Sequence, residues 1–202
     1  MNLDLSGKNA LVCGSTAGIG KAIAIELAEM GANVTLLARN EDKLKAVLST
    51  LDNSNGQSHS SLQADFSNIE SVKDAVNSIS NPIHILINNT GGPPGGPIVE
   101  ADLEEFTSAF SMHLLCNHAL VQGVKQGMID SGYGRIINII STSVKIPLSG
   151  LGVSNTVRGA VGNWAKTMAN ELGVHGITVN NVLPGATATE RLSSIIENKS
   201  TK

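Results

Sequence analysis

Aromatic side chains are almost missing from this chain: they make up 2% of its 202 residues, with one tryptophan and one tyrosine. Lys and Arg are few and scattered, and the formal net charge is −3. A protein that follows a nucleic acid needs a basic groove or a base-stacking platform, so nucleic acid is not an expected partner. Long apolar runs are absent as well. No stretch reaches the roughly 18 residues needed to cross a bilayer, and the first residues carry no basic, then apolar, then small-residue leader. A cytoplasmic protein without a membrane partner is expected. Cysteine is scarce: Cys13 and Cys116, the two in the chain, sit in apolar segments at no framework or metal spacing and are expected as reduced, buried thiols. The histidines form no ligand pattern, because the spacing of His113 and His118 puts them on different faces of a helix. No metal site is expected.

What the chain does have is 41% apolar content, enough for one sizeable core and a single domain over residues 1–202. Short apolar runs alternate with longer segments of helical period. Strands are expected at 9–14, 33–38, 59–64, 83–88, 134–140 and 177–182, and helices at 18–30, 41–52, 68–79, 102–129 and 153–173. Parallel strands need crossovers that cover the sheet. The alternation therefore predicts an α/β fold, a Rossmann-type doubly wound parallel sheet with six strands visible. Two loops rich in glycine and proline, 91–97 and 147–152, follow strand ends at the carboxyl edge, where such sheets bind ligands.

The first strand runs into Gly14, Ser15, Thr16, Ala17, Gly18, Ile19 and Gly20, and a helix starts within that turn. Glycines there let the backbone approach a pyrophosphate, and the unpaired N–H groups of the helix start point at it. With a strand before it, a helix after it and a second strand beyond, the turn is a candidate dinucleotide site. The second strand ends at Ala38-Arg39 with no carboxylate to take a ribose 2′-hydroxyl. A guanidinium there forks onto a 2′-phosphate, which favours NADP(H) over NAD(H). The alternative for Arg39 is a solvated side chain pairing with Glu41 or Asp42.

These segments resemble the short-chain dehydrogenase/reductase family across the whole chain. Cys13 to Gly20 is similar to its TGxxxGIG turn, with Cys in place of the leading Thr. Asn88-Asn89-Thr90-Gly91 resembles its NNAG strand end, Asp65 and Phe66 match the region that holds the adenine, and Pro184-Gly185 with Thr189 resembles PGxxxT. The resemblance implies cofactor contacts from Gly14, Ser15, Thr16, Gly18, Ile19, Gly20, Arg39, Asp65, Phe66, Asn89, Thr90, Gly91, Arg158, Pro184, Gly185 and Thr189. It also implies hydride transfer between a nicotinamide and a small carbonyl or alcohol, of the 3-oxoacyl type among others, by a homodimer or homotetramer.

The family's catalytic pattern is met only in part. Ser141 matches the serine that polarises the substrate oxygen. Where the family has Tyr-x-x-x-Lys this chain has Ser154 and Arg158, and the family's helix asparagine falls at His113. Ser154 and Arg158 keep the i, i+4 spacing of one helix face, so Arg158 is expected to anchor the ribose. A serine hydroxyl is a far weaker acid than a phenol, and Arg releases no proton. His113, whose imidazole titrates near neutrality, is the candidate proton source through Ser154 or a water; its alternative is a packed helix histidine. The one tyrosine, Tyr133, precedes a strand at the opposite edge and is expected to be structural. A second reading therefore stands beside the enzyme: a non-catalytic dinucleotide-binding protein acting as sensor or assembly partner. Family members continue into a lid, a helix and a further strand, so a shortened lid and an open sheet edge are expected here, with a helical, polar tail after Leu192.

Overall fold

The computed structural model describes residues 3–190 together with Leu192, Ser193 and Ile196; most of the tail expected after Leu192 lies outside the described residues. Six strands form one sheet in the order β3-β2-β1-β4-β5-β6. They are β1 Asn9–Cys13, β2 Asn33–Ala38, β3 Ser60–Gln63, β4 Ile85–Asn88, β5 Gly134–Ile139 and β6 Ile177–Val182. Every pairing is parallel. The crossovers carry α1 Gly18–Glu29, α2 Glu41–Leu48, α3 Ile69–Asn77, α4 Leu103–Phe110, α5 Cys116–Asp130 and α6 Gly152–Leu172. The doubly wound parallel sheet expected from the alternation is the fold observed.

Alternation along the strands builds two cores. Val12, Leu36, Ile85 and Ile87 face one way and meet Ala24 and Ala28 of α1 and Leu44 and Val47 of α2. Leu11, Leu37, Leu86 and Ile136 face the other way and meet Val72 and Val76 of α3, Leu120 and Val124 of α5 and Ala165 of α6. Where both faces are covered, as in β1, β2 and β4, the strands read as near-continuous apolar runs. On α1 the buried residues are Gly20, Ala24 and Ala28, one stripe at i, i+4 whose small size lets the helix lie close to the sheet.

One difference from the sequence reading bears on the site. The helix expected over 102–129 is interrupted: α4 passes into a π-helical turn at Ser111–Leu115 before α5 begins. A π turn keeps the apolar period nearly intact, so periodicity does not reveal it, yet it re-aims the side chains it carries. His113 sits in that turn and is 1% exposed. Cys13 and Cys116 are both free and buried, as expected. Tyr133 lies before β5 at the amino edge, its ring between Lys8 Nζ at 4.4 Å and the Arg135 guanidinium at 4.1 Å.

Candidate active site

The strand order reverses between β1 and β4, which opens a crevice at their carboxyl ends where doubly wound sheets bind ligands. The β1–α1 turn forms one wall. Gly14 and Gly18 adopt positive φ, +57° and +52°, a conformation that costs glycine nothing. Asn89 staples the turn: its Nδ2 donates to the carbonyls of Cys13 and Gly14, each at 3.2 Å. A Cβ at Gly20 would overlap Gly14 O and stand 2.6 Å from Asn89 Nδ2, so the glycines serve close packing as well as ligand approach. Asn89 Nδ2 therefore holds the backbone of the turn.

The turn fits an anionic ligand. At the start of α1 the N-cap residue, Ala17, offers no side-chain cap, whereas Asn40 caps α2 and Asn68 caps α3. The first N–H groups of α1 are thus left for another acceptor. Ser15 Oγ is buried without a hydrogen-bond partner in the same turn, and a Cβ at Gly91, across the crevice, would meet nothing within 4 Å. The C-terminal segment closes over the turn: a Cβ at Gly18 would stand 3.2 Å from Thr189 Cγ2. Thr16 and Thr90 are half-buried beside the crevice, and Ile19 packs partly into the core beneath α1.

Arg39 is exposed at the end of β2. The alternative pairing with its acidic neighbours is not formed, since Glu41 pairs with Lys45 and no ion pair among the described residues involves Arg39. Asp65 follows β3, and its carboxylate accepts from Ser67 N–H at 2.9 Å. That bond, with a smaller contribution from the nearby Arg39 charge, holds Asp65 below the usual carboxylate range. Phe66 departs from expectation in one respect. Its ring lies in the core, 7% exposed, and its carbonyl accepts from Cys116 Sγ at 3.4 Å, so it offers a ligand no side chain.

The other half of the crevice lies beyond β5. Ser141 Oγ accepts from Ser143 N–H at 3.1 Å, which leaves its own O–H to donate outward. Thr142 N–H donates to Pro184 O at 3.2 Å, bringing Pro184 and Gly185 beside Ser141. Ser154 is half-buried on α6, and Arg158, one turn on, is 9% exposed with Nη1 donating to Ile139 O at 3.0 Å. One of the five guanidinium donors is thereby committed to the end of β5 rather than to the crevice. Asn155 and Thr156, beside Ser154 on α6, bond main-chain carbonyls. Asn155 Nδ2 donates to Leu148 O at 2.9 Å, and Thr156 Oγ1 to Gly152 O at 3.1 Å. The two glycine- and proline-rich loops meet: Gly96 pairs with Leu151, and Gly96 N–H donates to Gly150 O at 2.8 Å.

Sequence reasoning missed a row of asparagines under the site. Asn88, Asn138 and Asn181 are in register on β4, β5 and β6. Asn88 Nδ2 donates to Asn138 Oδ1 at 2.8 Å, and Asn138 Nδ2 to Asn181 Oδ1 at 3.0 Å. A polar residue at the same depth of three neighbouring strands was the available signal. Among the described residues no group of three or more His, Cys, Asp or Glu converges as metal ligands, and no helix is long and apolar enough to cross a membrane. A groove of about 280 Å³ at the amino edge is lined by residues such as Asn9, Asn33, Thr35 and Ser60. Those side chains bond one another, and the groove lies far from the crevice.

A model of the short chain dehydrogenase family matches residues 8–200. The chain belongs to that family. It is 34% identical over 195 residues to gluconate 5-dehydrogenase of Gluconobacter oxydans, covering 95% of this chain and 76% of that protein. It is 32% identical over 200 residues to a 3-oxoacyl-[acyl-carrier-protein] reductase of Vibrio cholerae, covering 98% and 81%. Among solved structures, L-sorbose reductase from Gluconobacter frateurii, in complex with NADPH and L-sorbose, superposes with a TM-score of 0.91 at 29% identity, covering 100% of this chain and 78% of that one.

Proposed function

We propose that this protein is an NADP(H)-dependent oxidoreductase that interconverts a small ketone and its alcohol, with 3-oxoacyl compounds among the candidate substrates. The observation that carries the reading is the uncapped start of α1 at the β1–β4 crevice, with Ser15 Oγ buried and unpartnered beside it. The diphosphate would be held by the turn from Gly14 to Gly20, the 2′-phosphate by Arg39, and the adenine beside Asp65 and the Phe66 main chain. Thr90, Gly91, Pro184, Gly185 and Thr189 would enclose the nicotinamide half, and Asn89 would hold the turn in shape. Bound there, the cofactor supplies or accepts the hydride. The relatives named for NADPH and for carbonyl reduction support this choice.

In this reading the chain's own residues handle the oxygen and its proton. Ser141, its Oγ pinned by Ser143 N–H, donates to the substrate oxygen. Ser154 and Arg158 stand where the family places Tyr and Lys, and Arg158 adds charge beside the ribose. His113, buried in the π turn, supplies the proton through Ser154 or a water. The protein would be one domain over residues 1–202, cytoplasmic, and a homodimer or homotetramer; the exposed Leu103 and Phe110 on α4 and Leu115 beside it suit such assembly.

A second reading, a dinucleotide-binding protein without turnover, is favoured by one observation: Ser154 and Arg158 fall where the family pattern has a phenol and an ammonium. One experiment separates the two. NADPH and NADH are titrated into the protein, and a panel of ketones is then scanned for loss of reduced-nicotinamide absorbance. Turnover in the wild type, reduced at least tenfold by His113→Asn, supports the enzyme. Tight binding with no turnover, and activity only in Ser154→Tyr/Arg158→Lys, selects the binding protein. No binding of either nucleotide by the folded chain refutes both.

A further inference from the structure

We infer that Gln63 is a positioning residue for nucleotide choice: it anchors the main chain of Arg39 so that the guanidinium meets the 2′-phosphate of NADPH. The inference rests on the role proposed above for Arg39. β3 is the edge strand and pairs only with β2, ending at the register pair Ala38 and Gln63. The last ladder bond runs from Ala64 N–H to Ala38 O at 3.1 Å. Beyond it the chain turns away through Asp65. Gln63 Nε2 reaches across instead and donates to Arg39 O at 2.9 Å, extending the ladder by one step with a side chain.

The consequence follows from what surrounds the corner. On its far side Asn40 Oδ1 accepts from Lys43 N–H at 2.8 Å and fixes the start of α2. Arg39 is thus pinned through its own carbonyl by Gln63 and through the next residue by the helix cap. No ion pair among the described residues engages the guanidinium. With the main chain anchored, only side-chain rotation is left to be fixed, and little order is lost when the fork closes on a phosphate. A neutral amide does this without placing a negative charge beside the phosphate, as Glu would.

Dissociation constants for NADPH and NADH, measured by reduced-nicotinamide fluorescence, test the inference in wild type, Gln63→Leu, Arg39→Ala and the double variant. Loss of one hydrogen bond predicts roughly a three- to tenfold weaker NADPH in Gln63→Leu with NADH changed less than about twofold. Gln63→Glu, which cannot donate and adds charge, weakens NADPH further. In the Arg39→Ala background, Gln63→Leu has no added effect, because the anchor acts only through Arg39. Equal weakening of both nucleotides, or additivity with Arg39→Ala, overturns the inference. A wild type that binds NADPH no better than NADH overturns the Arg39 assignment and this inference with it. A preference that survives intact in Gln63→Leu overturns this inference alone.

Discussion

Replacing Gly20 by Ala tests whether the opening turn is held by contact or by conformational preference, because the two forces predict opposite signs. Gly20 lies inside α1, and an Ala in a helix is more stable than Gly by about 0.5–1 kcal/mol. Against this, the added Cβ would overlap Gly14 O and stand 2.6 Å from Asn89 Nδ2 and 2.9 Å from the Gly14 carbonyl carbon. Two of those neighbours are backbone, and the third is the amide that staples the turn, so none yields by rotating a flexible end. Overpacking of this kind costs about 1–3 kcal/mol, and rigid neighbours place it near the top of the range. The net loss is then about 2 kcal/mol, a fall in Tm of roughly 4–8 °C for a chain of this size. Gly159 in α6 provides the control, since a Cβ there meets nothing within 4 Å. Gly159→Ala is expected to melt roughly 1–4 °C above wild type. Thermal unfolding by circular dichroism reads both, and NADPH affinity should fall in Gly20→Ala alone. A Gly20→Ala protein that melts at or above wild type refutes the packing argument.

Three further outcomes are expected. Burial first, and the neighbouring Lys8 charge second, hold the His84 imidazole below its ordinary value, and its Nδ1 accepts from Asn9 N–H at 3.0 Å. A depressed folded value means that this contribution to stability is complete above about pH 6.5 and is lost as pH falls through the folded value. Urea midpoints should therefore drop on acidification below that point, and less so in His84→Gln; identical pH profiles would count against the assignment. Burial pushes the Cys13 thiol far up and the Cys116 thiol up to about 11. Neither should react rapidly with a thiol reagent near pH 8 until the protein is unfolded, when both should titrate; fast labelling of the native protein would contradict this. Tyr133→Phe keeps the ring between Lys8 and Arg135 and should leave turnover unchanged, whereas a large loss would make that phenol part of the chemistry.

Most of the fold was legible because both faces of the central strands are buried. Apolar strands such as Ile85–Asn88 stand apart from helices whose apolar side recurs at i, i+4, and all six strands fall within two residues of their expected bounds. The glycine turn was legible for a related reason: Gly14 and Gly20 are fixed by what a Cβ would strike. The π turn around His113 was not, because inserting one residue into a helix barely disturbs its apolar period. Nor was the use made of polar side chains. Asn89 and Asn155 each bond main-chain carbonyls through Nδ2, a choice made by geometry rather than residue type. The asparagine row depends on partners 50 and 43 residues apart, a register that only the assembled sheet provides.

The polar character of His113 and Arg158 bears on which functional reading is stronger. His113 and Arg158 are 1% and 9% exposed, and Asn88 and Asn138 beneath the site are 2% and 0% exposed. By strand alternation the asparagines share the face of Leu86 and Ile136, the layer covered by α5 and α6. Burying such groups costs several kcal/mol unless each is well partnered, and apolar side chains of similar size would fill the same space at no such cost. A scaffold needed only to grip a dinucleotide at the β1–α1 turn has no use for a buried guanidinium and imidazole two strands away. Retaining both makes physical sense where charge must be balanced and a proton moved at a substrate oxygen. That is the reason to place the enzyme ahead of the binding protein.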